Sequence, residues 1–158
     1  MKGAIGMDGE KITWLVAEHK ERITELYDLY AEEFPEKAVF WIKAAGDEKR
    51  HAEIIRELGK MLRTKELIFV KDGFSEKDIS DLAETIDNEY KKANSGPISY
   101  KQALAAAAAI QKSTIELEFF DFFKPNSERL KEMLLKLQRE IHAHLQLILS
   151  EIQTSERS

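Results

Sequence analysis

Four long stretches of this chain repeat their apolar residues with a helical period, and each stripe is interrupted by polar side chains that a simple core helix does not need. The first stretch runs from about Lys11 to Phe34, with Ile12, Leu15, Val16, Ile23, Leu26, Tyr27, Tyr30 and Phe34 along one face. Pro35 makes a corner and suits the first turn of a following helix, about Glu36 to Leu62. There Trp41, Ala44, Ala45, Ile55, Leu58 and Leu62 face inward. A third helix follows Asn94-Ser-Gly-Pro97, with Ser99 and Gln102 as a capping box. Its stripe of Leu104, Ala108, Ile115, Phe119 and Phe122 ends before Pro125. The fourth starts near Ser127 and carries Leu130, Leu134, Leu137, Ile141, Leu145, Ile148 and Ile152.

The links between these stretches are unequal. About 35 residues separate the second helix from the third. Within them, Lys65 to Phe74, which contains Leu67-Ile-Phe-Val70, reads as extended and ends at the turn signal Asp72-Gly73. Ser75 and Asp78 are placed to cap a shorter helix reaching about Ala93. Short links make antiparallel neighbours, and a long one can return the chain along a bundle. The expectation is an all-α chain, an antiparallel four-helix bundle with a long crossover between helices two and three. One domain over residues 1–158 accommodates it.

The polar interruptions are His19 on helix one, Glu48 and His51 on helix two, Gln111 on helix three and His144 on helix four. Glu48 and His51 are three residues apart and share one helix face, the Glu-x-x-His arrangement that holds metal ions inside four-helix bundles. The halves also match as a weak repeat. Setting His19 over Gln111 aligns Ile23 with Ile115 and Tyr27 with Phe119; setting His51 over His144 puts Ile141 where Glu48 sits. A lone histidine on an apolar face is more often a hydrogen-bonded core residue than a ligand, and Glu48 and His51 can also pair with each other or with Lys20. Burying such charges costs several kcal/mol unless they are paired. These residues must therefore satisfy one another or hold an ion.

On Tyr27-x-x-x-Ala31, Glu48-Lys-Arg-His51-Ala52-Glu-Ile-Ile, the Ser99…Ala103-Leu104…Ala107 entry to helix three and the crossover, the chain resembles the ferritin-like superfamily, closest to its rubrerythrin-type branch. In that family each half supplies a Glu from its first helix and a Glu-x-x-His from its second. Glu48, His51 and His144 match. The first-helix Glu falls at His19 or Lys20, the third-helix Glu at Gln111 and the fourth-helix Glu at Ile141, while Glu140 lies off register. The resemblance implies a non-haem iron role with peroxide or oxygen as co-substrate, oxidoreductase-like. The residues present reduce this to one divalent ion (iron, zinc or manganese) held by His19, Glu48, His51 and His144. The other reading is a metal-free bundle that serves as an oligomerisation or partner-binding module.

Composition narrows the remaining classes. The absence of cysteine removes disulfides, thiolate chemistry and the rubredoxin-like iron centre of full rubrerythrins. Net charge is −5 with no basic stripe, which argues against nucleic acid. No run of about 18 apolar residues suggests a membrane span, and Met1 to Met7 is too poor in apolar residues for a signal peptide. A cytoplasmic location is the expectation. Phe119, Phe120, Phe122 and Phe123 cover two faces of one helix, and Leu135, Leu147 and Leu149 widen the apolar face of helix four. That excess suggests a homodimer or larger. The alanine run at 105–109 reads as helix propensity, and His142 as surface.

Overall fold

A computed structural model describes residues 8–70, 76–113 and 118–157. Among them are five α-helices: α1 (Gly9–Glu33), α2 (Ala38–Arg63), α3 (Glu76–Ser95), α4 (Tyr100–Gln111) and α5 (Glu128–Arg157). Two short strands, β1 (Leu67–Phe69) and β2 (Phe123–Pro125), pair antiparallel with Leu67 opposite Pro125 and Phe69 opposite Phe123. The chain is therefore predominantly helical, as its periodicity indicates.

Local chemistry explains where the helices begin and end. Asp8 caps α1 by accepting from the Glu10 amide at 2.9 Å. Pro35 opens a 3₁₀ turn, Pro35–Lys37, that folds α2 back along α1. After α2, the amides of Lys65 and Glu66 return to the carbonyls of Leu62 and Met61, and Lys65 adopts a left-handed φ of 64°. This closes the helix in a Schellman arrangement and delivers the chain to β1. Ser99 and Gln102 form the expected capping box at α4. The Ser127 hydroxyl accepts from the Leu130 amide at 3.2 Å at the start of α5.

α1 packs along α2, α4 packs against α5, and α3 lies on α1. Arg22 of α1 meets Asp87 of α3 at 2.5 Å, above the buried Ile79, Leu82 and Ile86. α1 is thus covered on two sides. Gly59 permits the close approach of the first pair, since a Cβ there would lie 2.7 Å from the Thr13 hydroxyl. No helix of the described residues is long and apolar enough to cross a membrane.

Two expectations need correction. The third helix does not continue to Phe122. It stops at Gln111, and Phe119–Phe122 form a 3₁₀ turn that runs into β2. A helix buries one stripe, whereas this irregular path buries Phe119, Phe120 and Phe123 together, with Phe123 against Phe69 at 5.6 Å. The phenylalanine argument for a second subunit fails with it, because Phe120 and Phe123 are covered within the chain. Leu149 also packs on the core, while Leu135 and Leu147 remain exposed. The Asp72-Gly73 turn, Ser75 and Ile115 lie outside the described residues.

Candidate metal centre

The polar interruptions converge around Glu48, which is wholly buried on α2. One residue from each of the other three long sequence stretches reaches it. Gln111 of α4 donates from Nε2 to Glu48 Oε1 at 2.7 Å, and the same nitrogen lies 3.1 Å from the Tyr27 hydroxyl. His144 of α5 places Nε2 3.3 Å from Oε1. Lys20 of α1, itself 1% exposed, holds its ammonium 3.1 Å from Oε2. Glu48 is therefore a central anion ringed by nitrogen groups.

The two outer members look toward a cleft of about 340 Å³ between α2 and α5. His144 Nδ1 lies 3.4 Å from Asp47, and His51 Nε2 lies 3.5 Å from Glu140. Both distances are too long for well-formed hydrogen bonds, and among the described residues neither ring has a geometrically sound partner. The rings stand 6.4 Å apart at 82°. Arg50 spans the mouth, 2.6 Å from Glu140 and 3.9 Å from Asp47.

Burial sets the ionisation of this layer. It alone would push the Glu48 carboxyl up, but Lys20, His144, His51 and the Gln111 hydrogen bond together hold it below its ordinary value. Burial pushes His51 down to about 4, with Lys20 adding to the effect. His144 is lowered by burial too, against the pull of Glu48 and Asp47. The centre at neutral pH is thus one carboxylate, one ammonium and two uncharged imidazoles.

Sequence reasoning placed Glu48, His51, Gln111 and His144 in this layer, and the structure brings them together. His19 is buried but belongs to another surface of α1. Its electrostatic neighbours are Arg22, Asp87 and Lys20, and burial holds it at about 4. The reason is register: adjacent residues on a helix point about 100° apart, and α3 covers the second face of α1. Of the two options on helix one, Lys20 is the one that faces Glu48. Asp47 joins the site without a clear sequence signal, and Tyr27, already on the inward stripe of helix one, joins it through Gln111. Glu140 does reach His51 from its off-register position.

These residues do not fit a divalent ion as they stand. A paired-metal centre would need carboxylates where Lys20, Gln111 and Ile141 are found. An ammonium and a dication about 4 Å apart repel by roughly 8 kcal/mol at an effective dielectric of ~20, or about six decades in affinity. Among the described residues, no group of three or more His, Asp, Glu or Cys is arranged to hold a metal. Comparison with protein-family models, curated proteins and solved structures gave no match for this chain.

Proposed function

We propose that this chain is a ferritin-like four-helix bundle of the rubrerythrin type whose metal chemistry has given way to an internal ion pair, and that it works as a metal-free assembly or partner-binding module. In this reading α1–α2 and α4–α5 are the two helix pairs, and β1 with α3 forms the crossover. The observation that carries it is the buried Lys20–Glu48 contact at 3.1 Å. The remaining oxygen of the carboxylate is already engaged by Gln111. Among the described residues, an oxygen- or peroxide-activating iron finds no anionic cage to enter.

A role in assembly is supported by apolar side chains left in solvent. Val39 is 85% exposed and Ile42 59% exposed on α2, and Leu147 lies across the cleft on α5. Val39 and Ile42 are one helical turn apart and so share a face of α2, and exposed aliphatics that adjoin mark contact surfaces more often than isolated ones do. A homodimer is the simplest assembly that would cover them. Metal analysis after refolding with Fe(II) or Zn(II) tests the metal-free part, with an expected content well below one ion per chain. Light scattering at micromolar concentration tests the second part. Dimer or larger is expected for the native protein, and a shift toward monomer for Ile42→Glu.

One observation favours the competing reading of a single iron, zinc or manganese ion. Among the described residues, the ring nitrogens of His51 and His144 lack sound hydrogen-bond partners. That reading requires Lys20 to leave Glu48, and it predicts one ion per chain that His51→Ala abolishes and His142→Ala does not.

A further inference from the structure

The central layer has the charge balance of a metal site with the parts exchanged. In a carboxylate-ligated centre, anions surround a cation. Here one anion, Glu48, is approached by the Lys20 ammonium, the Gln111 amide and the His144 imidazole, each from a different helix. Among the described residues, the fixed positive charge paired with Glu48 comes from α1 at 3.1 Å. Gln111 is a neutral donor, and the imidazoles are uncharged.

We infer that the Lys20 ammonium is the resident cation of this centre, and that Lys20→Glu alone converts it into a site for one divalent ion. The inference rests on the metal-free reading above and deepens it. The substitution removes the repelling charge and adds a carboxylate on the helix that faces Glu48. With Glu48 and His144 Nε2, already 3.3 Å from Oε1, this makes a set of two carboxylates and one imidazole. Such three-ligand sets leave an open position and suit zinc or cobalt. Without a metal, the same variant holds two buried carboxylates face to face. Its folding should therefore depend on the ion.

Cobalt(II) is the probe, because its visible bands report a low-coordinate nitrogen and oxygen site directly. Native protein and Lys20→Glu are refolded with and without Co(II), and absorbance, bound metal and thermal midpoint are read. Lys20→Glu is expected to bind about one Co(II) per chain at least roughly 100-fold more tightly than native protein. Its midpoint should rise with the metal, and adding His144→Ala should remove the bands. A folded Lys20→Glu protein that stays colourless beside a metal-free native protein overturns the inference and leaves the metal-free reading standing. Native protein that takes up Co(II) as tightly as the variant overturns both.

Lys20→Ala serves if Lys20→Glu fails to fold. It leaves a lysine-shaped gap beside Glu48, so methylammonium chloride should raise its midpoint above that in equal sodium chloride. No difference between the two salts counts against Lys20 as the resident cation.

Discussion

Two ion pairs tie helices together at nearly the same level of this molecule, and the shorter one is expected to matter less. Arg50–Glu140 joins α2 to α5 at 2.6 Å on the rim, with side chains 48% and 28% exposed. Lys20–Glu48 joins α1 to α2 at 3.1 Å in the interior, with side chains 1% and 0% exposed. At an effective dielectric of ~20 the interior attraction is about 5 kcal/mol, against about 1.6 kcal/mol for the rim pair in water. Desolvation offsets much of the interior term. The difference therefore lies in what remains when a partner is lost. Water re-solvates a rim charge, while the interior one has nowhere to go.

Breaking the interior pair should give the largest effect. Lys20→Met leaves Glu48 ionised, or forces it to take up a proton, in a wholly buried position. A loss of about 3–5 kcal/mol in urea unfolding is expected. Lys20→Met with Glu48→Leu should recover most of it, because removing both charges removes the desolvation cost as well. A double variant as unstable as the single one would show that Lys20 acts through packing.

Acid probes the same contrast without mutation. In the folded chain burial pushes His19 and His51 down to about 4, whereas the unfolded chain titrates them near 6.5. As pH falls from about 6.5 to 4, the unfolded state binds protons that the folded state refuses. Stability present above pH 6.5 is therefore lost across that window, by up to about 3 kcal/mol per histidine. His19→Asn and His51→Gln should each flatten the curve of unfolding free energy against pH. Slopes in both variants equal to that of the native protein would defeat the assignment.

The sequence made some of this layer legible and hid the rest, for physical reasons. Glu48, His51, Gln111 and His144 stand out because each breaks an apolar stripe that has one buried face. Lys20 is ambiguous because α1 has two buried faces, one toward α2 and one toward α3. His19 and Lys20 both interrupt apolar rows there, and periodicity cannot say which row meets Glu48. The Glu-x-x-His spacing is present, yet the cation beside Glu48 is a lysine from another helix. The break after Gln111 was hidden for a different reason. Phe119 and Phe122 continue a plausible stripe, and it is tertiary contact, the β1–β2 pairing and the packing of Phe123 on Phe69, that rewards leaving the helix. The extended reading of Lys65 to Phe74, by contrast, holds at Leu67–Phe69 but not at Lys65, which turns the chain with a left-handed φ.

Intermediate in size is the neutral donor of the interior. Gln111→Leu removes the hydrogen bond to Glu48 at 2.7 Å and the contact with Tyr27. A hydrogen bond to a buried charge contributes about 1.5–3 kcal/mol. The expected loss is about 2 kcal/mol, smaller than for Lys20→Met because the ammonium remains beside the carboxylate. Unfolding in urea at neutral pH measures it, and a loss equal to that of Lys20→Met would mean that the amide, not the ammonium, sustains the charge on Glu48.

The smallest effect should come from the rim. Arg50→Ala deletes the 2.6 Å contact with Glu140 and the longer one with Asp47, yet surface pairs contribute about 0–1 kcal/mol and are screened by salt. Raising ionic strength should erase even that difference for Arg50→Ala while leaving the cost of Lys20→Met nearly unchanged. Removing the guanidinium also takes away a charge that, together with burial and Lys20, lowers His51. The pH curve of Arg50→Ala should therefore fall slightly less steeply below 6.5 than that of the native protein. If Arg50→Ala instead costs several kcal/mol at any salt concentration, the rim pair is closing the helix interface from outside, and the contrast between buried and exposed pairs in this layer does not hold.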